Sequence, residues 1–282
     1  MSKPVNMAPV QWFGGKGNLK HKLLPMIPYA NSYVEPFGGG GSILFARRPS
    51  PIEMYNDLDG RLVNLFRVLQ NREQREALED RLAWTLYARA EHELAKVEQD
   101  SDDPVSAAWG FFVRINMGFG ADPLGRSGWS YSKICTDRLS QGTTNINNKR
   151  PLIPEWAQRL YTVQVECKPA LQVIETMDHA ECVFFVDPPY VSDTRKSGGY
   201  VHEMDNAEHE RLISQLLTVQ GAVVLSGYEH PIYDPLTANG WELTRINWHT
   251  ETQNADGEKK PRVECVWRNP RCLQMLNTQS LF

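Results

Sequence analysis

Short apolar runs alternate with longer amphipathic stretches along much of the chain, which predicts strands and helices in turn. Five apolar runs have the length typical of buried strands, and they lie at residues 31–37, 51–59, 161–167, 182–187 and 222–227. Apolar residues recur at helical spacing at residues 18–27, 42–48, 61–70, 170–177 and 208–217. This alternation predicts an α/β fold whose sheet is mainly parallel.

Residues 72–160 interrupt this alternation. Helical patterns there precede a segment rich in Gly, Ser and Asn at residues 118–149, a composition typical of loops. We therefore predict a mainly helical insertion at residues 72–160, placed within an α/β domain that residues 1–71 and 161–282 form together.

A hairpin is predicted near the end of the sheet. The segments at residues 241–250 and 262–269 both have the pattern of strands, and Asp256-Gly257 between them favours a tight turn. The last strand would therefore run antiparallel to its neighbour. A doubly wound sheet with a reversed final strand is the organisation of class I methyltransferases, although a fold alone does not establish a function.

The composition is that of an ordinary globular protein, since 41% of the 282 residues are hydrophobic. No run of about eighteen apolar residues is present to span a bilayer, and the N-terminus lacks a secretory signal, so we predict a cytoplasmic protein. The cysteines are scattered and lack metal-ligand spacing. We predict buried thiols and no metal site; the residues are Cys135, Cys167, Cys182, Cys265 and Cys272.

Charge is distributed unevenly around a net value of −4. Residues 1–34 contain four lysines and no acid, and residues 105–165 contain seven Lys/Arg against three Asp/Glu. Residues 71–103 between them are rich in acids. Local positive charge of this kind can bind nucleic acid even when the whole chain is acidic.

The strongest local signal is the sequence Asp187-Pro188-Pro189-Tyr190, which directly follows an apolar run. Ligands of doubly wound sheets bind at the carboxyl ends of strands. An exocyclic aromatic amine is a poor nucleophile because its lone pair is delocalised. The Asp187 carboxylate and the Pro188 carbonyl would localise that pair by accepting its hydrogens, and Tyr190 would stack on the base. The structural alternative is a proline-rich turn that ends a buried strand.

A second motif is YVEPFGGGGS at residues 33–42, where a strand, a glycine loop and a helix follow one another. Glycines let a backbone approach a nucleotide-like ligand closely. The loop is not the GxGxxG fingerprint, and alone it would also be compatible with a flexible linker. Asp57 lies where an acid can bind ribose hydroxyls. The alternative is that Asp57 or Asp59 caps the helix that follows.

A third motif is QWFGGKG at residues 11–17. Its Lys16 would meet the carboxylate of a cofactor, and Trp12 would lie near the cofactor's apolar parts. An N-terminal turn with a core tryptophan and a solvated lysine would have the same sequence, so this motif alone is compatible with both interpretations.

Together and in this order, WFGGKG, VEPFGGGGS, YNDLD and FFVDPPY resemble the motifs of the DNA adenine methylase family. The resemblance covers nearly the whole chain. It implies S-adenosylmethionine as methyl donor, S-adenosylhomocysteine as product, and direct transfer to the N6 amine of a flipped-out adenine in DNA. Residues 72–160 would recognise the target, and the remainder would form the cofactor-binding catalytic domain.

The resemblance also implies roles for individual residues. The catalytic residues would be Asp187, Pro188, Pro189 and Tyr190. The cofactor site would comprise Trp12, Lys16, Glu35, Pro36, Phe37, Gly38, Gly39, Gly40, Gly41, Ser42, Asp57 and Asp187. The family often carries an acid that contacts the cofactor's adenine ahead of the catalytic strand. Pro169 stands near that place here, so backbone groups of residues 168–170 or another acid would hold the adenine.

Double-stranded DNA is the implied partner, in the cytoplasm and near the nucleoid. Side chains of types that contact phosphates or base edges are Arg114, Asn116, Arg126, Tyr131, Lys133, Arg138, Asn145, Asn147, Lys149 and Arg150. The residues leave open a partner restriction endonuclease and a homodimer. They also leave open methylation of cytosine N4 or of adenine in RNA, and a catalytically silent DNA-binding protein with the same fold.

Overall fold

The computed structural model describes residues 3–121, 124, 127–132, 141–194, 199–253 and 259–279. Within these residues one seven-stranded sheet has the order β3-β2-β1-β4-β5-β7-β6. The strands are β1 Ser32–Glu35, β2 Ile52–Asn56, β3 Val163–Glu166, β4 Cys182–Val186, β5 Ala222–Gly227, β6 Glu242–Gln253 and β7 Lys259–Arg268. The first five are parallel, whereas β7 runs antiparallel to both β5 and β6.

Helices cover both faces of this sheet, which explains why every residue of β4 and β5 is buried. The helices are α1 Lys20–Leu23, α2 Ser42–Ala46, α3 Gly60–Gln70, α4 Arg72–Trp84, α5 Arg89–Glu98, α6 Pro104–Met117, α7 Gln141–Lys149, α8 Ile153–Leu160, α9 Ala170–Met177, α10 Asn206–Leu216, α11 Asp234–Ala238 and α12 Pro270–Gln279. Two hydrophobic clusters, one on each side of the sheet, form the core.

The order of the strands reverses between β1 and β4, which are direct neighbours. In a doubly wound sheet the crevice at such a point, beyond the carboxyl ends of the strands, is where ligands bind. The glycine loop follows β1 and the DPPY sequence follows β4. The fold therefore brings these two motifs to the same crevice although they are far apart in the chain.

The predicted α/β fold with a reversed final strand is confirmed. The predicted hairpin forms the pair β6 and β7, and β7 lies inside the sheet between β5 and β6. Its Asp256-Gly257 turn lies outside the described residues. Among the described helices, none is both long enough and apolar enough to cross a membrane.

Some predicted elements differ from the structure. The helix predicted at 18–27 is broken into α1 and a 3-10 turn at Leu24–Met26, because Pro25 cannot continue the hydrogen-bond ladder. The Asn-rich segment was predicted to be loop, yet its last part forms α7. Helix α12 was not predicted at all. Cys167 is exposed in the loop after β3, contrary to prediction, whereas Cys182, Cys265 and Cys272 are buried.

Residues 72–160 contribute α4 to α8, which pack mainly around α6. Trp109 and Phe112 of α6 belong to the same hydrophobic cluster as Val183 and Phe185 of β4. This helical region, α4 to α8, therefore shares its core with the sheet. The domain boundaries at 71/72 and 160/161 stay a prediction.

Candidate active site

A cavity of about 310 Å³ opens where β1, β2 and β4 end. Of the predicted cofactor residues, all except Gly41 line it; these are Trp12, Lys16, Glu35, Pro36, Phe37, Gly38, Gly39, Gly40, Ser42, Asp57 and Asp187. Among the predicted catalytic residues, Asp187 and Pro189 line the cavity, and Pro188 and Tyr190 are buried beside it. The tertiary structure thus unites three motifs from distant parts of the chain.

The glycine loop passes between two aromatic side chains. Gly39 has a φ of +50°, and a Cβ atom on it would lie 2.7 Å from Cδ1 of Trp12. A Cβ atom on Gly38 would lie 2.1 Å from Cε2 of Tyr55, whose hydroxyl donates a hydrogen bond to the Gly39 carbonyl at 2.6 Å. Side chains would push the loop out of this position, so glycine is required for the loop to form this wall of the cavity.

Asp57 lies just after β2 and holds the glycine loop. Its carboxylate accepts hydrogen bonds from the backbone N–H groups of Gly39 and Asp59, each at 2.8 Å. Burial raises the pKa of Asp57 to about 6, although these two bonds favour the carboxylate. Asp59 is the residue that caps α3, by accepting from the Arg61 backbone N–H. Asp59 thus caps the helix, whereas Asp57 holds the cavity wall.

Asn56, the last residue of β2, was missed at the sequence level. Its Nδ2 donates to the Pro36 carbonyl at 2.8 Å and to the Lys168 carbonyl at 2.9 Å, and its Oδ1 accepts from the Lys168 N–H at 2.9 Å. The side chain is fully buried. Asn56 therefore ties the loop after β1 to the loop after β3, and this fixes the backbone around Pro169.

Two further parts of the cavity wall carry no recognisable motif. Residues 169–171 at the start of α9 contribute one part, and residues 200–204 contribute the other. The ring of Tyr200 packs edge-on against Phe13, with 5.2 Å between centroids. That contact fixes residues 200–204 against the WFGGKG segment, a placement that depends on tertiary packing.

Asp187 is held by a lysine and a serine. Lys16 Nζ lies 2.5 Å from Asp187 Oδ1 and 2.7 Å from Oδ2, and it also donates to the Gly14 carbonyl at 2.9 Å. Ser226, near the end of β5, donates to Asp187 Oδ1 at 2.8 Å. Burial disfavours the ammonium of Lys16, but the Asp187 and Glu264 carboxylates outweigh it and raise the pKa of Lys16.

Tyr190 is buried and joins Asp187 to a further acid. Its hydroxyl donates to Glu264 Oε1 and lies 3.3 Å from Asp187 Oδ1. Burial raises the pKa of Tyr190 well above its usual range, so the hydroxyl stays neutral. Its ring packs edge-on against Tyr228, with 4.7 Å between centroids. Stacking of Tyr190 on a base stays a prediction.

Glu35 ends β1 at the cavity wall and accepts a hydrogen bond from the Tyr33 hydroxyl at 2.7 Å. Burial raises the pKa of Glu35 to about 8, against the opposing effects of that bond and of Arg47. At neutral pH this carboxyl is protonated, so it can donate a hydrogen bond as well as accept one.

The residues around the cavity suit a nucleoside-like group. Asp57 offers a carboxylate beside backbone N–H groups, the glycine loop leaves no room for a Cβ atom, and Phe37 and Leu171 provide apolar surface for a flat ring. Asp187 lines the same cavity and can accept hydrogen bonds from an amine. The arrangement can therefore hold a nucleoside-like cofactor next to an acceptor for a second reactant.

The helical region holds the N-terminal segment that carries Trp12. Asn116 Nδ2 donates to the Pro9 carbonyl at 3.2 Å, and Trp156 Nε1 donates to the Met7 carbonyl at 2.6 Å. These bonds come from α6 and α8 and fix the backbone just before the WFGGKG motif. Two polar side chains of the predicted recognition region thus support the cavity instead.

Three of the predicted DNA contacts are interior residues, namely Arg114, Asn116 and Lys149, each 2% or 3% exposed. Lys149 Nζ donates to Asn116 Oδ1 at 2.6 Å. Burial lowers the pKa of Lys149 to about 7. These three side chains lie in the interior in this conformation, so their position does not support the prediction that they contact DNA.

Other predicted contacts are exposed or half-buried. Tyr131 is 55% exposed and stacks on Trp129 with an interplanar angle of 20°. Asn147 is exposed, Asn145 is half-buried, and Arg150 is half-buried and donates to the Thr85 carbonyl. The remaining three lie outside the described residues; they are Arg126, Lys133 and Arg138. Contacts of the exposed residues with DNA stay a prediction.

Comparisons with known proteins identify the family of this chain. The family model described as D12 class N6 adenine-specific DNA methyltransferase matches residues 12–100 and 140–231. A relative, the Type II methyltransferase M1.LlaDCHI of Lactococcus lactis subsp. cremoris, is 24% identical, and the match covers 86% of this chain and 90% of that protein.

A solved structure, precorrin 8W decarboxylase of Methanobacterium thermoautotrophicum, matches with 9% identity and a TM-score of 0.36, over 89% of each chain. That likeness is too low to bear on fold or function. The family match spans more than half of the chain and contains the glycine loop, Asp57 and Asp187. The chain therefore belongs to the D12 class of N6 adenine-specific DNA methyltransferases.

Proposed function

We propose that this protein transfers the methyl group of S-adenosylmethionine to N6 of adenine within a specific sequence of double-stranded DNA, after the adenine has rotated out of the duplex. The observation that carries the proposal is that Asp187 lines the same cavity as Asp57 and the glycine loop. A single cavity thus offers groups that suit an adenosyl cofactor and an acceptor for the target amine.

Each group has a defined task in this reaction. S-adenosylmethionine, when bound, supplies an electrophilic methyl group; the bond between its sulfur and the methyl carbon breaks as the amine nitrogen bonds to that carbon, and S-adenosylhomocysteine is the leaving product. Asp57 accepts hydrogen bonds from the ribose hydroxyls, and the backbone of residues 168–170 and the side chain of Leu171 lie against the adenine of the cofactor. Asp187 and the Pro188 carbonyl accept the two N–H bonds of the target amine and localise its lone pair.

Proton removal needs no dedicated base. Once the amine nitrogen has formed its bond to the methyl carbon, its remaining protons are acidic, and Asp187 or solvent takes one of them. Access to the amine requires that the adenine leave the base stack, because a stacked base cannot enter a cavity at the edge of a sheet.

Recognition of the target sequence is proposed for residues 72–160. Tyr131 supports this because it is exposed, and its ring also lies 5.8 Å from the guanidinium of Arg89. A flat aromatic surface next to a cation suits unstacked bases and phosphates. Asn147 adds an exposed amide that can contact base edges.

The name of the Lactococcus relative, a Type II methyltransferase, supports a biological role in protecting DNA. We propose that methylation here blocks a restriction endonuclease that cuts the same target sequence. DNA methylated by this protein would then resist digestion by such a nuclease, whereas untreated DNA would be cut.

The defining experiment measures transfer of labelled methyl groups from S-adenosylmethionine to DNA that lacks adenine methylation. We expect N6-methyladenine at one recurring sequence, identified by modification-sensitive sequencing, and loss of transfer in Asp187→Ala. Parallel reactions with RNA and with DNA methylated beforehand at adenine give the controls.

The other outcomes identify the alternatives. Methylated cytosine in the product would point to transfer to cytosine N4, and transfer to RNA alone would point to an RNA substrate. Tight binding of cofactor and DNA without any transfer would point to a binding protein. Failure to bind S-adenosylmethionine in calorimetry would overturn the proposal altogether.

A further inference from the structure

A second carboxylate lies behind Asp187 and is not part of the cavity wall. Glu264 is 2% exposed, accepts a hydrogen bond from the Tyr190 hydroxyl, and lies 3.7 Å from Lys16 Nζ. Burial raises the pKa of Glu264, while Lys16 opposes that effect. Asp187 and Glu264 therefore share one buried ammonium group.

The reversed direction of β7 explains this position. Cys265 of β7 pairs with Gly227 at the carboxyl end of β5, so Glu264 lies one residue beyond that end. Because β7 runs against the other strands, a residue from its middle reaches the edge of the sheet at which Asp187 lies. If β7 ran parallel to β5, a residue in its middle would not lie at the edge of the sheet where Asp187 lies.

Both oxygens of Asp187 already accept hydrogen bonds from neighbouring side chains. Lys16 lies within hydrogen-bond distance of each of them, and Ser226 donates to Oδ1. Each carboxylate oxygen can accept two hydrogen bonds, so Oδ1 has no acceptor site left, whereas Oδ2 can still accept an N–H beside Lys16. An amine that donates to Oδ2 therefore shares that oxygen with Lys16 and weakens the bond between Asp187 and the ammonium. This ammonium is only 4% exposed, so a weaker bond to Asp187 makes a second counter-charge favourable.

We propose that Glu264 is a positioning residue that takes over the Lys16 ammonium when the target amine engages Asp187. The proposal rests on the proposed function. The Gly14 carbonyl bond to Lys16 can persist during this shift, since it involves a different acceptor. Glu264 is the acidic neighbour that remains for the ammonium among the described residues, because it forms the other ion pair of Lys16.

The surroundings of Glu264 favour this shift of the Lys16 ammonium from Asp187 toward Glu264. The Tyr190 hydroxyl fixes the Glu264 carboxylate, and the Tyr190 ring lies 4.8 Å from Lys16 Nζ. A cation moving between the two acids stays in contact with the face of this ring. The shift required is small, because Lys16 Nζ already lies 3.7 Å from Glu264.

A double-mutant cycle on methyl transfer tests the inference. Glu264→Gln keeps the shape and removes the charge, and we expect its kcat to fall about 10- to 100-fold, with KM for DNA and the cofactor Kd nearly unchanged. Glu264→Asp keeps the charge and should retain more activity than Glu264→Gln. Adding Glu264→Gln to Lys16→Met should lower kcat no further, because no ammonium is left to hold.

Controls separate this role from a loss of folding. Glu242→Gln removes an acid that is half exposed and paired with Arg268 in the same hairpin, and it should leave kcat unchanged. Thermal unfolding of every variant identifies those that do not fold. If Glu264→Gln does not fold, comparison of Glu264→Asp alone and combined with Lys16→Met supplies the same cycle.

Three results would overturn the inference. They are a Glu264→Gln enzyme as fast as the wild type, losses from the Glu264 and Lys16 variants that simply multiply, and a Glu264→Asp enzyme slower than Glu264→Gln. No methyl transfer by the wild-type protein would overturn the proposed function, and the inference with it. The wild-type reaction therefore distinguishes the two failures.

Discussion

Two buried lysines, one at the sheet edge and one in the helical region, have pKa values shifted in opposite directions. Lys16 is 4% exposed, and the carboxylates of Asp187 and Glu264 raise its pKa despite burial. Lys149 is 2% exposed and donates to the neutral amide of Asn116, and burial lowers its pKa to about 7. The charge of the neighbours, more than burial itself, decides whether a buried lysine stays ionised.

The difference follows from what each region does. At the carboxyl edge of the sheet, charges are kept next to a cavity, where they can act on a ligand. In the helical region, Asn116 and Trp156 use hydrogen bonds to fix the N-terminal segment. Buried polar side chains thus surround a candidate site in one region and support packing in the other.

The largest expected effect comes from making the surroundings of Lys16 resemble those of Lys149. Asp187→Asn replaces the paired carboxylate by a neutral amide, so the amine loses its charged acceptor. We expect kcat for methyl transfer to fall about 10²- to 10³-fold, with a much smaller change in cofactor Kd. Steady-state kinetics and calorimetry measure both. Activity within tenfold of the wild type would contradict the role of Asp187.

A second prediction concerns the backbone at the sheet edge. Gly39→Ala introduces a Cβ atom 2.7 Å from Trp12 at a left-handed φ, so the glycine loop must move. We expect the affinity for S-adenosylhomocysteine to fall about 10- to 100-fold, equivalent to about 1.4 to 2.8 kcal/mol. The matched control is Gly60→Ala, where nothing lies within 4 Å of the added atom. Equal affinities of the two variants would refute the close packing of Gly39 against Trp12.

A third prediction uses the pKa of Asp57, which burial raises to about 6. Ribose hydroxyls need the carboxylate, so protonation weakens binding; the affinity should fall as the pH drops from 7 through about 6. We expect about a tenfold loss at pH 5 relative to pH 7. Glu35, with a pKa of about 8, stays protonated throughout this range. Calorimetry with Asp57→Asn should give a weaker affinity that no longer varies with pH.

A fourth prediction concerns Lys149 in the helical region. Its pKa is about 7 in the folded protein and near 10.5 when unfolded, so the cost of burying its charge is fully present below pH 7 and fades as the pH rises toward 10. We expect Lys149→Met to raise the free energy of unfolding by on the order of 1 kcal/mol at pH 6, and by less at pH 10. Chemical denaturation measures this difference, with the exposed Lys22→Met as control. An increase in the free energy of unfolding that is the same at pH 6 and pH 10 would contradict the lowered pKa of Lys149.

The smallest expected effect concerns the surface of the helical region. Tyr131→Ala removes an exposed ring from the stack with Trp129. We expect DNA affinity to fall about 3- to 10-fold, while cofactor affinity and the free energy of unfolding stay unchanged. Fluorescence anisotropy with labelled DNA measures the first. A substitution of the buried Arg114 could not separate DNA affinity from stability, because loss of its side chain would also lower the free energy of unfolding.

The catalytic edge was predictable from local sequence because its chemistry limits the residues that can be used. Gly39 must adopt a left-handed φ, Asp57 must follow a strand, and Asp187 must follow the buried strand β4, so each leaves a mark in the sequence. The helical region has no such restriction. Arg114 and Lys149 were predicted to contact DNA from residue type alone, and residue type does not reveal burial.

The alternation of strands and helices, the hairpin at the end of the sheet, and the motifs that converge on one cavity could all be predicted from the sequence alone. These follow from periodicity and from backbone requirements that act over a few residues. Three features required the folded chain: Asn56 ties two loops together, residues 200–204 complete the cavity, and Glu264 lies behind Asp187. Each of these depends on contacts between segments far apart in the chain, where strand order and direction, rather than local pattern, set the neighbours.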